Sequence, residues 1–138
     1  MLRALTAGGI CLMAGIERAQ QLRKRARVLR AWHCALENLS ASCACLRLPP
    51  EENWRSAVMQ AGAETDASVL GEEECALIAM CQKALYDGMP EQQERQLRYA
   101  SSRFAQLALA AQEKQDRDAG LYMSIGLLGG LCVFLMCV

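Results

Sequence analysis

The sequence predicts an all-α protein: an antiparallel helical bundle of about four helices, flanked by N- and C-terminal membrane helices. Three observations carry this expectation. No stretch alternates apolar and polar residues in the manner of a strand. Hydrophobic residues reach 53% while aromatics stay at 5%, a mix of Ala, Leu, Met and Cys that favours helix over sheet. Both ends of the chain are apolar, and nearly all charge lies between them. At 138 residues the chain can build one modest core and not two.

Thirteen uncharged residues, ALTAGGICLMAGI, lie between Arg3 and Glu17. As a helix they cover about 20 Å, short for a membrane span. A signal peptide shares this plan, but no small-x-small cleavage site follows. Gly8 also stands three before Cys11, where a lipoprotein box puts Leu. The pattern runs unbroken into IERAQQLRKRARVL, so residues 1–16 are predicted to be an uncleaved membrane segment. At the other end, QEKQDRDAG is dense in charge and amide, and no charge follows Gly120. The stretch from Gly120 to Val138 covers about 28 Å, close to the hydrocarbon thickness of a bilayer. Residues 120–138 are predicted to be a transmembrane helix, leaving 17–119 as a cytoplasmic helical domain.

The formal charge of +0 gives no sign of a nucleic-acid partner, but its distribution is informative. Residues 17–30 hold six bases against one acid, and residues 31–94 hold three bases against eleven acids. Arg18, Arg23, Lys24, Arg25 and Arg27 form a membrane-proximal basic collar after the head, and Lys114 and Arg117 precede the tail. Only Arg3 lies on the far side. Basic residues are retained on the cytoplasmic side, which puts the middle of the chain there and both termini within or across the cell membrane.

Small residues pattern both apolar segments. Ala7, Cys11 and Gly15 recur at every fourth position, and Gly126 and Gly130 form a GxxxG with Gly129 beside them. Such faces let helix backbones approach closely in lipid, so these six are the predicted transmembrane helix contacts. The spacing does not say which helix meets which.

One helix is expected from Glu17 to Leu46. Leu22, Leu29, Leu36 and Cys43 recur at seven, as do Trp32, Leu39 and Leu46, and Arg25 breaks the seam near the membrane. Pro49-Pro50 ends it and opens a second helix, with Glu51 and Glu52 in the first turn, reaching about Gly62. A third starts near Glu72 and buries Leu77, Met80, Cys81 and Ala84. Its Glu72, Glu73 and Glu74 suit a helix N-terminus and are also a candidate partner surface. Asp87-Gly88-Met89-Pro90 stops that helix and starts the last. From Glu91 the last helix sets Leu97, Ala100, Phe104, Leu107, Ala108 and Ala111 on one face. Arg95, Arg98 and Arg103 on the other face are further partner-surface candidates. The helix is expected to continue into the tail.

No Gly-rich phosphate loop, GxSxG or HExxH is present. The single histidine, His33, has Glu37 four residues on, the spacing of a helix-surface pair. Nothing here calls for an enzyme or a cofactor. Eight cysteines raise the question of a metal site, and His33, Cys34, Cys43 and Cys45 are the only cluster resembling ligands. Their spacing fits no zinc pattern, and a helix turns Cys43 and Cys45 onto different faces. Free thiols in a reducing cytoplasm are the preferred reading, with a membrane-bound thiol or metal sensor as the alternative.

The order of features resembles the stage III sporulation protein AB family of endospore-forming Firmicutes. The stretches AGGICLMAGIERAQQLRKRARVL, DGMPEQQERQLRYASSRFAQLALAAQEKQDRDAGLY and LGGLCVFLM carry the likeness. Gly15, Ala19, Arg23 or Arg18, and Leu22 or Leu29 fit the head pattern loosely. Gln93 or Gln96 fits the start of the last helix, and Leu121, Tyr122 and Gly126 fit the approach to the tail. The chain is shorter than is usual for the family, and the shortfall falls near residues 43–50. The family's Leu-Gly-x-Ser/Thr-Asp is here Leu85-Tyr86-Asp87-Gly88-Met89-Pro90.

The resemblance implies a domain similar to the cytoplasmic domain of type II secretion F proteins. It implies a non-catalytic platform in the channel joining mother cell and forespore, in the mother-cell membrane around the forespore. The implied partners are a secretion-type ATPase (sporulation protein AA), other channel membrane proteins and further copies of the chain.

Overall fold

The structure is a computed structural model. It describes residues 2–45, 49–63, 69–87 and 89–137, with the side chains of 2–5, 7, 8, 11, 44 and 137 excepted. Four helices account for nearly all of it: α1 (Leu2–Cys45), α2 (Pro50–Ala61), α3 (Glu72–Asp87) and α4 (Pro90–Cys137). The fold is all-α, with no strand among the described residues. The two end segments are not separate helices. The apolar head is the beginning of α1, and the apolar tail is the end of α4.

Helix ends follow local chemistry. Pro49 is extended, with ψ at 142°, and accepts the Asn53 amide at 3.0 Å, while Pro50 takes the first helical position where no N–H is needed. At the other end Gly62 adopts φ 62°, ψ 29°. The Gly62 amide donates to the Met59 carbonyl, and the Ala63 amide donates to the Val58 carbonyl. These two bonds satisfy carbonyls that the helix leaves open, and a side chain at residue 62 would be strained in this left-handed conformation. Pro90 likewise opens α4, where the Gln93 amide donates to the Met89 carbonyl at 2.9 Å. Gly88, read as the stop of the third helix, lies outside the described residues.

The chain forms two compact units, Met1–Lys24 with Ala110–Val138, and Arg25–Leu109. In the second unit Trp32, Leu29, Leu36 and Leu39 of α1 are buried with Leu97, Ala100 and Phe104 of α4. The Trp32 ring lies 6.4 Å from Phe104 and 5.9 Å from Trp54, which ties α1 to α4 and α2. Leu77, Cys81, Ala84 and Leu85 bring in α3. Two contacts give the sense of packing between α3 and α4. Glu73 meets Arg103, and Leu85 meets Gln93, so the two helices run antiparallel.

Most expected core positions are buried, with five departures, and Leu46 of the heptad seam lies outside the described residues. Leu22, Met80, Leu107 and Ala111 are only half-buried. Cys43, placed in the heptad seam, is exposed. It lies beyond the last buried residue of α1, Leu39, and is met by the polar Asn53, whose amide donates to the Cys43 thiol sulfur at 3.5 Å.

Candidate functional site

In the unit of residues 1–24 and 110–138, the N-terminal part of α1 meets the C-terminal part of α4 at a glycine. A β-carbon on Gly15 would stand 3.1 Å from the Tyr122 carbonyl oxygen, tighter than ordinary packing allows. The obstacle is backbone, which has little room to yield. Gly126, one turn beyond Tyr122, is buried, as is Ala19, one turn beyond Gly15. The absence of a side chain at Gly15 is what lets the two backbones approach at this point. Gly130 is half-buried, while the β-carbon position of Gly129 has nothing within 4 Å. Gly129, half-buried as well, therefore has room for a side chain. Ala7 and Cys11 fall on side chains outside the described residues.

The outer surface of this unit is apolar. Ile10, Met13, Ile125, Leu127, Leu128 and Phe134 are all more than half exposed. Among the described residues α4 is the one helix long and apolar enough to cross a membrane, and almost none of that stretch is buried. Among the described residues the head of α1 does not supply a second such stretch.

The basic residues next to the apolar segments in sequence differ in their partners. Arg18 donates to Gln21 at 3.4 Å, Arg117 lies 3.8 Å from Asp118, and Arg23 and Arg27 are exposed, as is Lys24. Arg25 differs. Its guanidinium donates to Glu74 at 2.9 Å, and Glu74 is buried to 3% exposure. The carboxyl of Glu74 folds back over Gly71, where a β-carbon would collide with it. The carboxylate thus sits at the positive end of α3 with a cation from α1 beside it.

This removes Glu74 from the candidate partner surface, because buried side chains cannot meet a partner. Glu73 is exposed but paired, accepting from Nε and Nη2 of Arg103 at 2.9 and 2.7 Å. The ion pair pushes the Arg103 pKa further up. Arg98 pairs with Glu94 one turn earlier, at 2.7 Å. Glu72 and Arg95 are exposed and have no ion-pair partner among the described residues.

His33 meets Glu37, as its spacing suggested, and also Ser101, which the sequence did not disclose. Its Nδ1 lies 3.1 Å from the Ser101 carbonyl oxygen and 3.3 Å from the Ser101 hydroxyl, with Nε2 3.5 Å from Glu37. Where Nδ1 carries the proton it donates to the carbonyl, which only accepts. The contact tethers α1 to α4 in either tautomer. It lines a groove of about 800 Å³ together with Cys43, Glu91, Glu94 and Arg98.

Cys34, Cys43, Cys45 and Cys75 are exposed, while Cys81 is buried. Among the described residues no three His, Cys, Asp or Glu side chains stand close enough to hold a metal ion. The structure does not bring His33, Cys34, Cys43 and Cys45 into one site.

With this geometry in view, comparison with protein families is decisive. The stage III sporulation protein AB family (spore_III_AB) matches residues 47–138. The chain belongs to this family. Its role is therefore in sporulation. The match takes in α2, α3 and α4 and begins just after the end of α1, so the likeness noted in the head lies outside it. Tyr122, noted for its fit to the family, is at the helix contact with Gly15, and Gly126 is buried one turn on. Gln93, noted likewise, joins α4 to α3 by donating its side-chain amide to the Leu85 carbonyl at 3.2 Å. Neither the curated proteins nor the solved structures provide a match.

Proposed function

We propose that the chain is a non-catalytic, membrane-anchored platform component of the channel between mother cell and forespore, working with a secretion-type ATPase. The supporting observation is the helix contact at Gly15 and Tyr122 within a unit whose outer surface is apolar. A close backbone approach combined with exposed leucine, isoleucine and phenylalanine suits a hairpin held in lipid, where packing rather than the hydrophobic effect joins helices. Family membership supplies the sporulation context.

On this reading the hairpin anchors the protein in the mother-cell membrane around the forespore. The unit Arg25–Leu109 offers a charged, cytoplasmic surface to the ATPase, to other channel membrane proteins or to further copies. Affinity capture of the tagged chain from membranes of sporulating cells tests it. The ATPase is expected in the captured fraction and absent from a control lacking the tag. Its absence, with the two proteins at different cellular sites, contradicts the reading.

A further inference from the structure

The unit Arg25–Leu109 carries apolar surface that it does not cover itself. Met59 on α2 and Met89 before α4 are each 75% exposed, and Tyr86 near the end of α3 is 54% exposed. Met59 and Tyr86 line a groove of about 410 Å³ with Trp54, Val58, Arg55 and Glu51. Its floor is not loose, because the Trp54 ring packs against the buried Trp32. Trp, Tyr, Met and Arg are the residues enriched at the centres of protein interfaces, and a preformed pocket lowers the ordering cost of binding.

The surroundings say what fits. Glu51 lines this groove, Glu52 and Asp87 directly follow lining residues in the sequence, and all three are exposed with no ion-pair partner among the described residues. Arg55 is the cation that lines it. Glu51 and Glu52 also complement the dipole of α2, which leaves their outer oxygens free to accept from a partner. An acidic surround is repelled by an anionic lipid surface, so exposed methionine and tyrosine here are not a membrane contact.

We propose that this groove docks a protein segment presenting one apolar side chain flanked by lysine or arginine. The apolar side chain fills the space between Met59 and Tyr86 above Trp54, and its basic neighbours pair with Glu51, Glu52 and Asp87. The proposal rests on the reading of the chain as an assembly component and assigns the face it uses.

The test uses the full chain in lipid nanodiscs, with the secretion-type ATPase of the same host as the probe and a dissociation constant as readout. Two variants alter the site: M59S with Y86S, and E51K with E52K and D87K. Substitution E113K, on the part of α4 outside this unit, reverses one charge elsewhere in the chain. Binding by the unaltered chain that weakens at least tenfold in both site variants, and stays within twofold in E113K, is the expected result. Equal binding by all forms overturns the proposal and leaves the assembly reading standing. No binding by the unaltered chain overturns both. Site variants that abolish self-association in sedimentation but keep ATPase binding assign the groove to a second copy and overturn the proposal.

Discussion

Gly15 and Tyr122 meet backbone to backbone: a β-carbon added at residue 15 would stand 3.1 Å from the Tyr122 carbonyl oxygen. Two opposing terms then decide the effect of substitution. Alanine gains up to about 1 kcal/mol in helix propensity over glycine. Overpacking against an unyielding backbone costs about 1–3 kcal/mol. G15A is therefore expected to be mildly destabilising, and G15L to separate the helices. G126L should act like G15L, whereas G129L should be tolerated because its side chain enters open space. Protease resistance of the two apolar segments in detergent, compared across the four variants, checks this order.

The Arg25–Glu74 pair predicts unequal costs for two ion pairs on α3. R25A leaves a buried carboxylate without its cation, a loss of about 1–3 kcal/mol. R103A removes a pair whose two side chains are each about half exposed, and the unfolding midpoint should hardly move. Urea unfolding of both variants, followed by helical circular dichroism, distinguishes them. Equal losses would show that burial of Glu74 is not what matters.

Trp32 is fully buried and touches both Trp54 and Phe104. W32A should cost about 3–5 kcal/mol, a large part of the stability of a domain this size. W54A, at a half-buried position, should cost less. The same unfolding curves give the comparison.

The thiols separate by burial. Cys81 is fully buried, and desolvation pushes its pKa up to about 11. It should stay unmodified by a maleimide at pH 8 until denaturant is added, while Cys34, Cys45 and Cys75 react in the native protein. Because burial favours the neutral form, the stabilising share of this thiol is complete below the ordinary thiol range. It is lost as pH rises towards about 11. The same exposed thiols report sidedness. A membrane-impermeant maleimide should leave them unlabelled in intact cells and label them after permeabilisation.

The helix ends were legible because their signals are local. Pro49-Pro50, Gly62, the Glu72–Glu74 run and Pro90 mark boundaries within one turn of where the helices begin and end. The core stripe of α4 was legible from its spacing, since Leu97, Ala100, Phe104 and Ala108 recur at three and four. What depends on distant partners was not. Glu72, Glu73 and Glu74 read alike in sequence, yet only Glu74 turns inward, because Arg25 reaches it from 49 residues away. Gly126 and Gly129 read alike too, and only the rotation of α4 against α1 buries one and leaves the other open. The Glu37 partner of His33 was legible from its spacing, and Ser101 was not, because it lies 68 residues along the chain.

The central claim is that sporulation needs this protein held in the membrane by its apolar tail. Counting heat-resistant spores in a strain lacking the gene, complemented with the full chain or with one ending at residue 119, tests it most directly. The full chain should restore spores, and the truncated chain, present at equal abundance, should fall short by at least a hundredfold. Full restoration by the truncated chain would contradict it.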